Sequence, residues 1–391
     1  MIKKYKIIIL LFLSIVILFF IINGMLTKDG VAALSVSSDG RYAISTDENK
    51  RAILWDLKNK NSKVLDQKAH IFSAYFLPQG HDYLWQDQSK VVHIRNTDND
   101  SKEDFKIPYL IFSQIMTSNR QNYMVSSIGG GIFLQQNKKW QQILTANPNL
   151  GEKEEDLAES NQLLLEKPYN FSITPNQHYI LGIYTGAGGL WNIENEKKLS
   201  KIVQLYGYKE LLAKSFATLS PDGKYVVGGD EGGGAKVWET ASGKKLFNLY
   251  HIGLGKLIKT GKGINYDYFD ASVLKAKAPK GFDSNGMIFS LKFIDKTHYL
   301  RFSTGGSFAI IYEVTNPAPL KYFDLGQHPF PATHYYARNQ AIDTSWQSHT
   351  LVMGKETGEG IVVYQYDPEK QTLTKVWDGH SCVLPSLGCV I

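Results

Sequence analysis

The stretch Phe216-Ala-Thr-Leu-Ser-Pro-Asp222-Gly223-Lys-Tyr-Val-Val-Gly-Gly-Asp230-Glu-Gly-Gly-Gly-Ala-Lys-Val-Trp238-Glu-Thr-Ala-Ser-Gly243-Lys-Lys-Leu-Phe-Asn-Leu249 decides how this chain is read. It holds four short apolar runs separated by Pro-Asp-Gly, a glycine-rich segment and Ala-Ser-Gly. Apolar and polar residues alternate within the runs, the period of a half-buried strand rather than of a helix. Four strands this close in sequence form one small antiparallel sheet.

The unit recurs. A second copy is Ala32-Ala-Leu-Ser-Val-Ser-Ser-Asp39-Gly40-Arg-Tyr-Ala-Ile, continuing to Ile53-Leu-Trp55-Asp56. Weaker copies cover 71–106, 109–144, 168–203, 288–325 and 341–377. The distance from the first turn to an apolar anchor in the third strand tests the repeat. It is 16 residues for Asp39 to Trp55 and Asp222 to Trp238. It is 15 for Gln79 to Ile94, Asn119 to Leu134 and Asn176 to Trp191, and 17 for Asp295 to Tyr312 and Gln347 to Tyr364. Glycines recur between the second and third runs: Gly129 to Gly131, Gly186 to Gly189, Gly232 to Gly234, Gly305-Gly306, and Gly358 with Gly360. A phosphate-binding loop needs a Lys-Ser/Thr ending and a following helix, and the Gly228 to Lys236 stretch has neither; the five recurrences between strands are expected to be hairpin turns.

Over residues 31–380 the sequence resembles the WD40-repeat family. The Trp-Asp dipeptide stands once, as Trp55-Asp56, with Trp191-Asn192, Trp238-Glu239, Tyr312-Glu313 and Tyr364-Gln365 as degenerate forms; the Gly-His element is Gly379-His380, with Ala69-His70 as a relative. The resemblance implies an all-β, seven-bladed β-propeller. It also implies a structural hydrogen-bond network of His70, Ser45 and Trp55 in the first blade. His is missing before most other first strands, so that network is not general here.

First strands are expected near 31, 71, 109, 168, 216, 288 and 341, and a bare blade takes about 40 residues. Four connections are longer: 145–167, 204–214, 251–285 and 326–340, each following a fourth strand. In a propeller these open on the face shared with the second-to-third turns, so the extra chain gathers on one face, where recognition is usual. The 145–167 insert carries Glu152, Glu154, Glu155, Asp156, Glu159 and Glu166 against Lys153 and Lys167. The 251–285 insert carries six lysines, Lys256 and Lys259 among them, against Asp267, Asp270 and Asp283, interleaved with Tyr266, Tyr268, Phe269 and Phe282. The expected partner-binding residues are Tyr266, Tyr268, Phe269, Phe282, Lys256, Lys259, Glu154, Glu155 and Asp156; alternatively the two oppositely charged inserts satisfy one another.

The N-terminus has its own character. Residues 1–6 are basic, and Ile7 to Ile22 is apolar apart from Ser14. Lysines before such a run leave the N-terminus in the cytoplasm and send the rest across. The run is short for a core about 30 Å thick, yet no clean cleavage site follows, so residues 1–25 read as an uncleaved signal anchor rather than a cleaved signal. The expected location is the cytoplasmic (inner) membrane, single-pass, with the propeller outside (periplasmic in a Gram-negative cell). Both cysteines, Cys382 and Cys389, lie in the 381–391 tail. A disulfide is permissible outside the cytoplasm, and two free thiols are the alternative.

Composition excludes several classes. The chain has 391 residues, 43% hydrophobic and 20% charged, with only two cysteines, which is neither disordered nor a disulfide framework. Without Lys3, Lys4 and Lys6, 40 basic residues face 37 acidic ones, too even a balance for a nucleic-acid binder. No nucleophile elbow, zinc spacing or paired-carboxylate motif appears. Asp98, Asp100 and Asp104 lack the central glycine of a calcium loop and read as a polar turn between two strands. The expectation is a monomeric, non-catalytic protein-binding module with no cofactor and no metal, an envelope scaffold or a toxin-neutralising immunity protein. The alternative is a metal-dependent hydrolase using the channel-mouth positions His70, Asn170, Asn285 and Asp343.

Overall fold

A computed structural model describes residues 30–77, 80–107, 111–117, 123–127, 132–136, 139–144, 170–173, 179–184, 187–194, 198–206, 215–230, 235–249, 288–303, 308–316, 318–325, 341–355 and 360–380. They form 28 strands in seven four-stranded antiparallel sheets, each built from one contiguous stretch of chain. Blade 1 is β1 (Val31–Val36), β2 (Tyr42–Asp47), β3 (Ala52–Asp56) and β4 (Asn61–Asp66). Blade 2 is β5 (Tyr75–Phe76), β6 (Asp82–Gln86), β7 (Val91–Asn96) and β8 (Lys102–Lys106). Blade 3 is β9 (Ile111–Thr117), β10 (Tyr123–Ser127), β11 (Ile132–Gln136) and β12 (Lys139–Leu144). Blade 4 is β13 (Asn170–Ile173), β14 (Tyr179–Tyr184), β15 (Ala187–Glu194) and β16 (Lys198–Tyr206). Blade 5 is β17 (Ser215–Leu219), β18 (Tyr225–Asp230), β19 (Ala235–Glu239) and β20 (Lys245–Leu249). Blade 6 is β21 (Ile288–Phe293), β22 (His298–Ser303), β23 (Phe308–Glu313) and β24 (Pro319–Asp324). Blade 7 is β25 (Ile342–Ser345), β26 (Thr350–Gly354), β27 (Gly360–Asp367) and β28 (Thr372–His380).

Each copy of the sequence repeat is therefore one sheet. The described turn residues Asp39, Asp222, Asp295 and Gln347 fall between first and second strands, and the seven anchors, from Trp55 to Tyr364, all lie in third strands. First strands of neighbouring blades pack on one another, as β1 does on β5 and β25 and β17 on β13 and β21, so they form the inner ring. Fourth strands are the rim: β8 is largely exposed and no residue of β4 is buried, while β2 and β6 are buried throughout.

The first turn has the same chemistry in blades 1 and 5. Ser37 Oγ donates to Asp39 (2.7 Å) and accepts from the Tyr42 N–H, while Asp39 accepts from the Arg41 N–H. Ser220, Asp222, Lys224 and Tyr225 repeat the pattern. Two glycine expectations are corrected. Gly188 and Gly189 are inside β15, and Gly360 opens β27, where Gly379 of β28 approaches so closely that no side chain fits. The clearest turn demand comes where glycine is absent: Lys50 and Lys90, at the second-to-third turns of blades 1 and 2, have φ of +65°. The recurrent glycines at 129–131, 232–234 and 305–306 lie outside the described residues. Residues 204–206, expected in an insert, continue β16, and Asp104, expected in a turn, is in β8.

Between blades, the core is side-chain packing. Val31, Leu34, Val36, Ala43, Ile53, Trp55 and Leu57 of blade 1 interlock with Ala341, Val352, Ile361 and Val363 of blade 7, and Trp55 meets Trp377 edge-on at 6.1 Å. Gly40 stands at this joint with φ +71°, facing Ser348 and Thr350, whereas Gly80 holds φ +75° with open space around it. Both Gly→Ala changes place a side chain in the left-handed region, at a cost of about 1–2 kcal/mol. Only Gly40→Ala also drives a Cβ into blade 7. Gly40→Ala is expected to lower Tm clearly more than Gly80→Ala in thermal melts of the two single variants; equal shifts would mean the joint yields to an added methyl.

Candidate functional site

The inner strands carry a polar chain across four blades. The Phe76 N–H of blade 2 donates to Ser35 Oγ of blade 1 at 3.0 Å. Ser35 in turn donates to Asp343 of blade 7, whose Oδ2 also accepts the Val36 N–H at 2.9 Å. Lys292 of blade 6 lies 3.9 Å from the other Asp343 oxygen. Burial raises the Asp343 carboxyl, against the opposing pull of Lys292 and of the Val36, Thr344 and Ser35 donors. Burial likewise lowers the Lys292 ammonium, with Asp343 holding it up. Three further bonds run blade to blade: Thr344 Oγ1 to the Phe293 carbonyl (2.6 Å), Ser345 Oγ to the Ser38 carbonyl (2.5 Å) and Thr46 Oγ1 to the Ile71 carbonyl (2.8 Å).

This accounts for Asp343, one of the four expected channel-mouth residues: its oxygens are engaged by protein donors. His70 is placed differently from expectation. Trp55 Nε1 donates to Ser45 Oγ at 2.8 Å, as the network requires, but the His70 imidazole takes no part. Its Nδ1 is buried without a partner, and burial lowers its pKa. The correction has a local cause: the 70–73 turn is fixed through the backbone, by the His70 N–H to the Gln86 carbonyl and Ser73 Oγ to the His70 carbonyl, and the ring rests edge-on against Phe72. Asn170 opens β13, and Asn285 lies outside the described residues. Among the described residues no three of His, Cys, Asp and Glu gather as a metal site.

On the opposite face from the long connections, His81 clamps blades 1 and 2. Its Nε2 is 2.8 Å from Asp39 and its Nδ1 2.8 Å from Asp98. With a carboxylate at each nitrogen the ring donates twice, as imidazolium. Burial pulls its pKa down, but the hydrogen bonds and charges of Asp98 and Asp39 outweigh it, and the value stands above 6.5. Asp39 is lowered: burial raises it, and the Arg41 N–H, Ser37 and His81 more than compensate. Asp98 thus serves in a polar turn between β7 and β8, as its sequence context suggested.

The expected partner-binding residues Tyr266, Tyr268, Phe269, Phe282, Lys256, Lys259, Glu154, Glu155 and Asp156 lie outside the described residues, as do Cys382, Cys389 and residues 1–29. Among the described residues no helix is long and apolar enough to cross a membrane. What is placed are the strand ends that bracket the inserts: β12 and β13, β16 and β17, β20 and β21, β24 and β25. All four pairs join a rim strand to the next inner strand, hence all four connections leave from one face. Sequence reasoning missed Lys292, Ser35 and His81. Lys292 was legible as a charge inside the apolar run Ile288–Phe293; His81 was not, because its two partners are 42 and 17 residues away.

His81 gives this face a pH signature. A raised pKa contributes stability that is complete below 6.5 and lost as pH rises through the folded value; the lowered Asp39 contributes above 3.8 and is lost as pH falls. The Tm gap between the wild type and His81→Gln is therefore expected to be widest between about pH 4 and 6.5 and to shrink as pH rises through the raised folded value, measured by thermal melts across pH. A gap independent of pH would refute the imidazolium.

No family model matches the chain, and no curated protein matches it in sequence. Solved structures do. Hsv2 of Kluyveromyces marxianus aligns with a TM-score of 0.54 at 12% identity, over 91% of this chain and 100% of that one. KlHsv2 with its loop 6CD replaced by a Gly-Ser linker aligns with a TM-score of 0.54 at 12% identity, over 90% and 99%. At this identity the likeness establishes the fold alone: the chain is a β-propeller.

Proposed function

We propose that this chain is a non-catalytic protein-binding propeller, tethered outside the cytoplasmic membrane by residues 7–22, that engages a protein partner through the face bearing its long connections. One observation carries the reading: each of the four long connections joins a fourth strand to the next first strand, so the ring puts its surplus chain on one side. A scaffold closed by side-chain packing holds such loops at fixed spacing, which lowers the ordering cost of binding. Tyr266, Tyr268 and Phe269 are the aromatic anchors, with Phe282 beside them; Lys256, Lys259, Glu154, Glu155 and Asp156 form the polar rim. An envelope scaffold and an immunity protein both fit this description.

The test is affinity capture from detergent-solubilised membranes of the native cell, with the intact chain and with a variant lacking residues 255–282. A specific protein captured by the intact chain is expected to be lost with the deletion, and with Tyr266→Ala/Tyr268→Ala/Phe269→Ala, while the melting temperature holds. An unchanged set of captured proteins would overturn the reading.

A further inference from the structure

Blade 6 buries a cation that meets no counter-charge among the described side chains. Arg301, in the middle of β22, is 3% exposed, and its Nε and Nη1 are buried without a hydrogen-bond partner. Two residues earlier on the same face, Tyr299 is fully buried and its hydroxyl is also unpartnered. Tyr299 stacks on Tyr312 of β23, centroids 5.4 Å apart, and Tyr322 of β24 completes the wall across the register Leu291–Arg301–Ile310–Tyr322. The facing surface is apolar, Val227 and Val237 of blade 5. Unpartnered donors therefore lie here on one guanidinium and on the Tyr299 phenol, and no carboxylate among the described side chains answers either.

Blade 1 is built differently at the same position. Counting six residues from the turn aspartates Asp39 and Asp295 reaches Ser45 and Arg301, and the sheet registers agree: Ala43 pairs with Trp55 as Tyr299 does with Tyr312, and Ser45 pairs with Ile53 as Arg301 does with Ile310. In blade 1 the anchor's N–H finds its acceptor in Ser45. In blade 6 the acceptor position holds a cation, and the anchor is a phenol. Nor can the phenols supply the negative charge: burial raises Tyr299 well above its ordinary value and Tyr322 to about 12, so both stay protonated at neutral pH. Arginine cannot discharge itself by losing a proton. Where the chain does bury an arginine for structure alone, it supplies the acid: Arg51 is paired with Asp47 at 2.6 Å.

We propose that the seam between blades 5 and 6 is an oxyanion site, in which Arg301 and Tyr299 hold one small carboxylate or phosphate group. Arg301 is two residues from the end of β22, at the side of the ring where the long connections emerge, so the ligand enters from that face. Charge-assisted bonds from a guanidinium and a phenol to an oxyanion are strong at a site this buried. The site is independent of the protein-partner reading, since it needs neither the inserts nor the membrane segment.

The test is a thermal-shift titration of the full chain with sodium acetate and, separately, sodium phosphate at constant ionic strength, with chloride as the balancing salt. The wild type is expected to show a saturable rise in Tm with at least one of the two over the chloride control. Arg301→Leu is expected to abolish that rise and, in chloride alone, to melt no lower than the wild type, because it removes an uncompensated buried charge. Tyr299→Phe, which removes one hydroxyl from a fully buried ring, is expected to fold and to weaken the apparent anion affinity several-fold; it decides the matter should Arg301→Leu fail to fold. A wild type indifferent to both anions, or a saturable rise that survives in Arg301→Leu or is unchanged in Tyr299→Phe, would overturn the site.

Discussion

Blade 7 meets blade 1 through side chains and a few isolated hydrogen bonds. Each of the two sheets is completed by its own contiguous residues, so among the described strands no backbone ladder crosses the joint. The joint is instead a hydrophobic interlock of Val31, Leu34, Val36, Ile53 and Trp55 with Val352, Ile361 and Val363, at roughly 1.5–3 kcal/mol for each large side chain withdrawn from water. Polar ties hold its register: the Val31 N–H to the Lys355 carbonyl at 3.1 Å, the Val36 N–H to Asp343, and Ser345 to Ser38. Every other feature assumes a closed ring, because an open one would expose these apolar faces and separate the inner strands.

The same division of labour runs along the neighbouring seams. Apolar packing supplies the stabilisation, and single polar contacts fix how each blade is set against the next. His81 couples the turn of blade 1 to that of blade 2, and Thr344 ties blade 7 to blade 6. The Lys292–Asp343 pair differs in kind. Both members lose hydration and both shift toward neutrality, so its Coulomb gain is largely offset by desolvation. It selects a register more than it stabilises one.

Much of this was legible in sequence, and the reason is local. Turn-to-anchor spacing is set by strand length within one blade, so Asp39 to Trp55 and Asp295 to Tyr312 could be counted without knowing the fold. The Ser-x-Asp turn is equally local, and it recurs in blades 1 and 5 with the same bonds. What could not be counted were contacts between blades: Asp343 with Val36 spans 307 residues. His70 illustrates the opposite error. A residue type in the position a family pattern favours was given the family's bond, while the backbone of the 70–73 turn holds it elsewhere. The turns lacking glycine were instructive too, since Lys50 and Lys90 adopt a left-handed φ because the strand pairing on either side requires it.

A repeat protein makes one further comparison possible, because its copies are each other's controls. The third-strand anchor varies among large apolar and aromatic residues, as Trp55, Ile94, Trp238, Tyr312 and Tyr364 show. A charge placed at a buried repeat position is a different kind of change, since it costs several kcal/mol unless something answers it. Arg51 is answered within its own turn by Asp47. Arg301 replaces what is serine in blade 1 and glycine in blade 5, positions that demand nothing cationic of the fold. Structure alone would be served by either of those residues, and the ring would close as well or better with them. A guanidinium at that position, beside a phenol with no acceptor among the described residues, suits the binding of an anion better than the support of the ring.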